Sequence, residues 1–415
     1  MNKNLMVCVC FAVLCVLRAS VVQSAEVNYE KRWLSGMFYG EGANFGDFNK
    51  DGKLDVVSGP YIYDGPEFTV KREFMPREPS DPLHYSKNFF AYPHDFTKDG
   101  YTDIVIIGFP GQETHWYENP GAPPTAAAAA DAKEAKHWKR HVALKVTDNE
   151  SPMLANVVGD ETPELVCMSG GHLGYASVDP SDPTKAWKFT AVSPKLDFQR
   201  FTHGLGVGDV NGDGKLDLLE KNGWWEQPSS LEGDPPPLWK KHEVAFAGPK
   251  SPGGAQMFAY DVDGDGDNDV VTSLHAHGYG LAWFEQVTPP GGDGQGGFKR
   301  HLILSPKGEE KINDVQFSQL HAVELVDIDG DGLKDILTGK RYWAHGPGGD
   351  PDPEGAPVLY WFKLKREGEK ASFEPKQVNK TSGVGTMVAT ADANGDKRPD
   401  IIVGNKRGTV LFLSK

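Results

Sequence analysis

A nine-residue acidic pattern, Asp-x-Asp/Asn-x-Asp-Gly-x-x-Asp, recurs along the 415-residue chain and limits what it can fold into. It reads DFNKDGKLD at 47–55, DFTKDGYTD at 95–103, DVNGDGKLD at 209–217, DVDGDGDND at 261–269, DIDGDGLKD at 327–335 and DANGDKRPD at 392–400. A degenerate copy, NVVGDETPE at 156–164, fills the widest gap, so that successive copies start 48 to 66 residues apart. Each copy lies between short runs of Ile, Val and Leu, such as 322–326 before and 335–338 after the copy at 327. Such runs bounded by Asp and Gly are strand signals. A third run in each unit is aromatic (Trp116-Tyr117, Trp224-Trp225, Trp283-Phe284, Tyr360-Trp361-Phe362), and a fourth carries basic alternation ending in His141, His242 or His301.

Four strands per unit at a period near fifty residues predict an all-β fold, a seven-bladed β-propeller of four-stranded blades. The segment 29–34 (YEKRWL) reads as a fourth strand lacking its first three, and the last unit, ending at Lys415, lacks a fourth. Pairing the two would close the ring and leave no free sheet edge. No composition shift marks a second domain, so 25–415 is expected to be one propeller. The stretch 126–136 (AAAAADAKEAK) is read as one short solvated helix in an insertion.

Oxygen side chains alternating through a tight turn, with Gly allowing the sharp bend, suit Ca²⁺ rather than a softer metal. The candidate ligands are Asp47, Asn49, Asp51 and Asp55; Asp95, Asp99 and Asp103; Asp209, Asn211, Asp213 and Asp217; Asp261, Asp263, Asp265 and Asp269; Asp327, Asp329, Asp331 and Asp335; and Asp392, Asn394, Asp396 and Asp400. Thr97 is a weaker donor, Lys397 stands where Gly is expected, and Val158 with Glu161 argues against an ion in the third copy. Five or six structural Ca²⁺ sites are therefore expected. The loops resemble FG-GAP/VCBS repeats, with Phe45-Gly46 before the first and Gly59-Pro60 after it. That resemblance implies a calcium-stabilised β-propeller, in a family that serves adhesion, carbohydrate binding and catalysis alike.

The formal net charge of −15 follows from the same loops and argues against a nucleic-acid partner. Lys3, the apolar run 5–17 and the small residues before Ala25 read as a signal peptide over 1–24, implying a secreted or periplasmic protein free of the membrane after cleavage. Cys8, Cys10 and Cys15 would leave with it, so that Cys167 alone remains and no intrachain disulfide can form. A monomer is expected.

If the acidic turns join strands one and two, the first strands begin on the opposite face. Six residues before each loop stand Glu41, Phe89, Glu150, His203, Ala255, His321 and Thr386. Just after the second strands come Tyr61, His172, Lys221, His275, His277, Lys340, Arg341 and Lys406. These positions should ring the mouth of a central channel, with Tyr342, Trp343 and His345 opening an insertion over the same face. The expected ligand there is a carbohydrate or another small polar molecule.

One reading is a carbohydrate lyase or dehydratase acting by β-elimination, which needs a base, an acid and charge stabilisation. His203 or His321 is the candidate base, Lys221, Lys340 or Arg341 stabilises charge, and Tyr61 or His277 is the acid. Alternatively His203, His321 and Glu41 hold a further divalent metal. The phrases 201–204 (FTHG) and 277–280 (HGYG), with the overall layout, resemble the propeller domain of the aldos-2-ulose dehydratases. The second reading is a non-catalytic module presenting the same funnel to a glycan or a protein.

Overall fold

The computed structural model describes residues 27–121, 137–248, 251–287, 297–368 and 370–415. The segment expected to be a signal peptide and the one expected to be a helix lie outside these residues. Among the described residues, 27 strands and one 3-10 turn, Gly346–Gly348, make up the regular structure. The chain is thus all-β, and its many antiparallel sheets are consistent with a β-propeller.

Each sheet is a meander running outward from a short first strand. Ala43–Gly46, Asp55–Ser58, Tyr61–Asp64 and Val70–Glu73 pair in chain order. The strand Lys139–Ala155 serves two meanders: its first half pairs with Gln112–Glu118 and its second with Glu164–Ser169, fusing them into one seven-stranded sheet. Leu205–Gly208 and Gln256–Tyr260 lie parallel, joining two further meanders into an eight-stranded sheet. Gly206 permits this approach, since a Cβ there would stand 2.1 Å from the Met257 carbonyl oxygen. The N-terminal strand Tyr29–Ser35 pairs antiparallel with Gly408–Ser414, from Tyr29 opposite Ser414 onward.

Hydrogen bonds link the inner ends of the sheets in a circuit. Glu41 N donates to Asn88 O (2.8 Å), Tyr92 Oη to Pro152 O (2.8 Å), Glu150 N to Thr202 O (3.0 Å) and His203 N to Pro252 O (3.0 Å). Ser273 Oγ donates to Leu320 O (2.8 Å), Val384 N to Lys340 O (3.1 Å), and Thr386 N returns to Glu41 O (2.9 Å). The apolar core lies between neighbouring sheets, as where Phe48, Val57, Ile62 and Phe74 of one meet Ile104, Ile106 and Tyr117 of the next. Cys167 is buried within it, and burial pushes its thiol pKa up.

The acidic loops have a repeated internal architecture. In the first, Asp47 accepts the backbone N–H groups of Asp51 (3.2 Å) and Gly52 (2.9 Å). Gly52 has φ +80°, and its counterparts Gly100, Gly214, Gly266 and Gly332 are likewise left-handed. Lys397 keeps that conformation, φ +70°, and still donates its N–H to Asp392 (2.9 Å).

The ninth-position carboxylates have a different task. Asp217 is fully buried and accepts Val210 N (2.9 Å) from the loop and Gln227 N (2.9 Å) from the end of the third strand. Asp55, Asp103, Asp269, Asp335 and Asp400 bridge the same two elements. In the degenerate copy, Glu164 accepts Val157 N (2.8 Å) and Val158 N (3.2 Å). This position clamps the turn to the sheet by backbone hydrogen bonds, a role that sequence reasoning did not separate from ligation.

Candidate metal centre

Three first strands and one turn after a second strand deliver four ligand-type side chains to one point. His203 stands two residues before Leu205–Gly208, and His321 two before Val323–Val326. Glu150 sits where the long strand Lys139–Ala155 passes from one meander to the next. His277 comes from the turn after Asp269–Ser273, held by Ala276 N donating to Gly253 O (3.0 Å). His203 Nε2 lies 2.9 Å from His277 Nε2 and 3.2 Å from His321 Nε2. Glu150 Oε2 lies 3.1 Å from His321 Nε2 and 3.5 Å from His203 Nε2.

A neighbour fixes the tautomer of His203 and a carboxylate biases that of His277. His203 Nδ1 faces the Phe201 carbonyl oxygen at 2.8 Å and must carry the proton, so its Nε2 presents a lone pair. Asp350 Oδ1 lies 3.5 Å from His277 Nδ1 and likewise favours a proton there. Two Nε2 lone pairs then face each other across 2.9 Å, an arrangement that a cation relieves. Ligands about 2.0–2.1 Å from a tetrahedral ion stand about 3.3 Å apart, and the four His203 and Glu150 pairs above span 2.9 to 3.5 Å. A three-histidine, one-carboxylate donor set suits Zn²⁺ or a similar divalent transition ion.

Electrostatics favour the ligating protonation states. Burial and the nearby Arg341 hold His321 well below its usual pKa, and burial pushes His277 down to about 4. Burial alone would raise Glu150, but His203 and His321 outweigh it and hold its carboxyl well below the usual range. Neutral His277 and His321 and an ionised Glu150 need lose no proton to bind a metal.

The other sequence candidates fall around or away from this point. Glu41 is not among the converging groups: it is fully buried against Arg341, whose Nε donates to its Oε2 at 2.7 Å. Glu150 stands where Glu41 was expected, with Arg341 Nη1 3.8 Å from its Oε2. Arg341 follows the second strand Asp335–Gly339 of a meander one removed in the circuit, and its guanidinium holds Glu41 in a buried ion pair. Lys340 Nζ donates to Ser318 Oγ (2.5 Å) and lies 3.6 Å from Asp352. Tyr61 packs edge-on against Tyr39, and Lys221 makes no side-chain hydrogen bond or ion pair with the cluster among the described residues. Neither is brought to the cluster.

Sequence reasoning missed Asp350, which lies in the insertion 346–357. Its Oδ1 accepts from His345 Nδ1 (2.8 Å), and its Oδ2 from His345 N (2.8 Å). No periodic signal marks it. The acidic groups Asp261–Asp263–Asp265 and Asp327–Asp329–Asp335 also bring ligand oxygens within 4.8 Å of one another.

The stretch from the loop at 327 to the strand Asp400–Asn405 decides the repeat type. Residues 327–403 match an FG-GAP-like repeat. This FG-GAP-like stretch holds two acidic loops and supports a β-propeller-type module, and it carries His345, Asp350, Lys340 and Arg341. No curated protein matches the chain. The likeness to aldos-2-ulose dehydratases rests on the sequence phrases and overall layout given above.

Proposed function

We propose that the chain is an exported, calcium-stabilised, seven-bladed propeller that acts on a carbohydrate by β-elimination. In this reading, the channel mouth holds a divalent transition metal on His203, His277, His321 and Glu150. The observation that carries it is the convergence of three Nε2 atoms and one carboxylate oxygen within 4.8 Å. The circuit of hydrogen bonds between the inner ends of the sheets and the pairing of the two terminal strands support the seven-bladed reading. Calcium is supported by the oxygen-rich loops and by the mature charge they create.

A bound divalent ion would supply Lewis-acid polarisation of a substrate oxygen. The chain's own residues do the rest. Phe201 O and Asp350 hold His203 and His277 with Nε2 turned inward, and Arg341 fixes Glu41 beside Glu150. With their Nε2 atoms turned to one another, His203 and His321 are ligands rather than bases. His345 takes over the proton transfer: it is partly exposed at the mouth and anchored through Nδ1 to Asp350.

The test is to incubate the purified chain with keto-sugars and uronate polymers and follow ultraviolet absorbance from a new conjugated double bond. Absorbance that grows, and is abolished in His203→Ala and His321→Ala, supports the reading. No absorbance with retained glycan binding supports the non-catalytic module instead.

A further inference from the structure

A lysine at the channel mouth is buried without a counter-ion. Lys406 follows the second strand Asp400–Asn405 and is 4% exposed. The hydrogen-bond partner of its Nζ is the Ala344 carbonyl oxygen at 3.4 Å, and among the described residues no carboxylate lies within 4 Å of it. The acids that act on it from farther away are Glu41, Asp350 and Asp81. Each has its own partner: Arg341 for Glu41, His345 for Asp350 and His84 for Asp81. A buried ammonium left this way is poorly solvated and is stabilised by any anion that reaches it. Burial accordingly lowers the Lys406 pKa.

Its place in the fold faces the candidate site. Lys406 Nζ stands 5.1 Å from the centroid of the Tyr85 ring, which is 37% exposed. Tyr85 meets His345 edge-on at 6.4 Å, and His345 lies 4.5 Å from His277, one of the four converging ligands. Phe109 packs on Tyr85 at 5.1 Å and continues the aromatic wall. An ammonium beside an aromatic face matches a sugar ring bearing a carboxylate, since the ring stacks while the charge pairs. Lys340 cannot do the same, because Ser318 and Asp352 already satisfy it.

We propose that Lys406 is the counter-ion for a substrate carboxylate, so that the channel mouth takes a hexuronate rather than a neutral sugar. The inference rests on reading this mouth as a sugar site and deepens that reading by naming the substrate class. The chemistry is consistent with it. A carboxylate at C5 acidifies the C5–H bond, and pairing with Lys406 limits the charge that builds up when the proton leaves. The base takes that proton, the C5–H electron pair forms the C4=C5 double bond, the C4–O bond breaks, and the leaving oxygen takes a proton. No oxidant or reductant is needed.

The test is calorimetric titration of the full chain with galacturonate, its methyl ester and galactose, alongside transition-metal content. Galacturonate is expected to bind at least 10-fold more tightly than the ester or galactose. Lys406→Met should remove that preference while leaving metal content unchanged, and Lys406→Arg should restore part of it. Equal binding of acid and ester to the wild-type chain would overturn the proposal, whether or not Lys406→Met folds. A chain that prefers galacturonate but holds no transition metal would defeat the metal-centre reading and leave this one standing.

Discussion

Asp217→Ala tests the clamping role of the ninth loop position. The substitution leaves the N–H groups of Val210 and Gln227, both bound at 2.9 Å to the buried carboxylate, without an acceptor. Each unpaired buried N–H costs about 1–3 kcal/mol, so the loss is about 2–6 kcal/mol. That is a large part of a typical total of about 5–15 kcal/mol. Asp213, at the fifth position of the same loop, accepts Lys215 N (2.9 Å) near the surface, and Asp213→Ala should cost below about 1 kcal/mol. The assay is urea unfolding in excess chelator, where no calcium contributes. Asp217→Ala should unfold at a much lower urea concentration, and Asp213→Ala near the wild-type midpoint. Added calcium should then stabilise Asp213→Ala less than the wild-type chain, by the share of one loop among the five or six expected. Equal midpoints for the two variants in chelator would refute the argument and reduce position nine to a ligand.

Two further outcomes follow from single residues. Lys397→Gly should raise stability by about 0.5–1 kcal/mol in urea unfolding, because relief of a left-handed lysine exceeds the added chain entropy. Glu324, on the first strand Val323–Val326, has its pKa pushed up from 4.5 to about 7 by burial. Between those values the folded state binds the extra proton, so its contribution to stability is present at low pH and is lost as pH rises through about 7. Glu324→Gln should flatten that decline and, discounted for partial exposure, gain about 1–2 kcal/mol at pH 8, read from melting profiles against pH.

The sequence made the repeated parts legible and left the unrepeated ones obscure. The Asp and Gly spacing is local chemistry, and the turn at Gly52 or Gly214 follows directly from it. Counting back six residues from each loop placed Glu41, Glu150, His203 and His321 at one end of the sheets, since strand length is nearly constant from unit to unit. Which of them face one another was not legible. Glu41 and Arg341 lie 300 residues apart and choose each other through packing that no periodicity encodes. Asp350 was hidden in a Gly- and Pro-rich insertion, where composition suggests only a surface loop. In the fourth strands His242 pairs across the sheet with Trp224, stacks on it at 4.0 Å and places its Nε2 2.7 Å from Glu226. His141 and His301 repeat that arrangement on Trp116 and Trp283.

The most direct measurement is the transition-metal content of the purified chain, taken by elemental analysis after dialysis, for wild type and His321→Ala. The metal-centre account predicts close to one zinc-like ion per wild-type chain, its loss in His321→Ala, and unchanged calcium in both. A wild-type chain that binds calcium but holds no transition metal when supplied with zinc would contradict it.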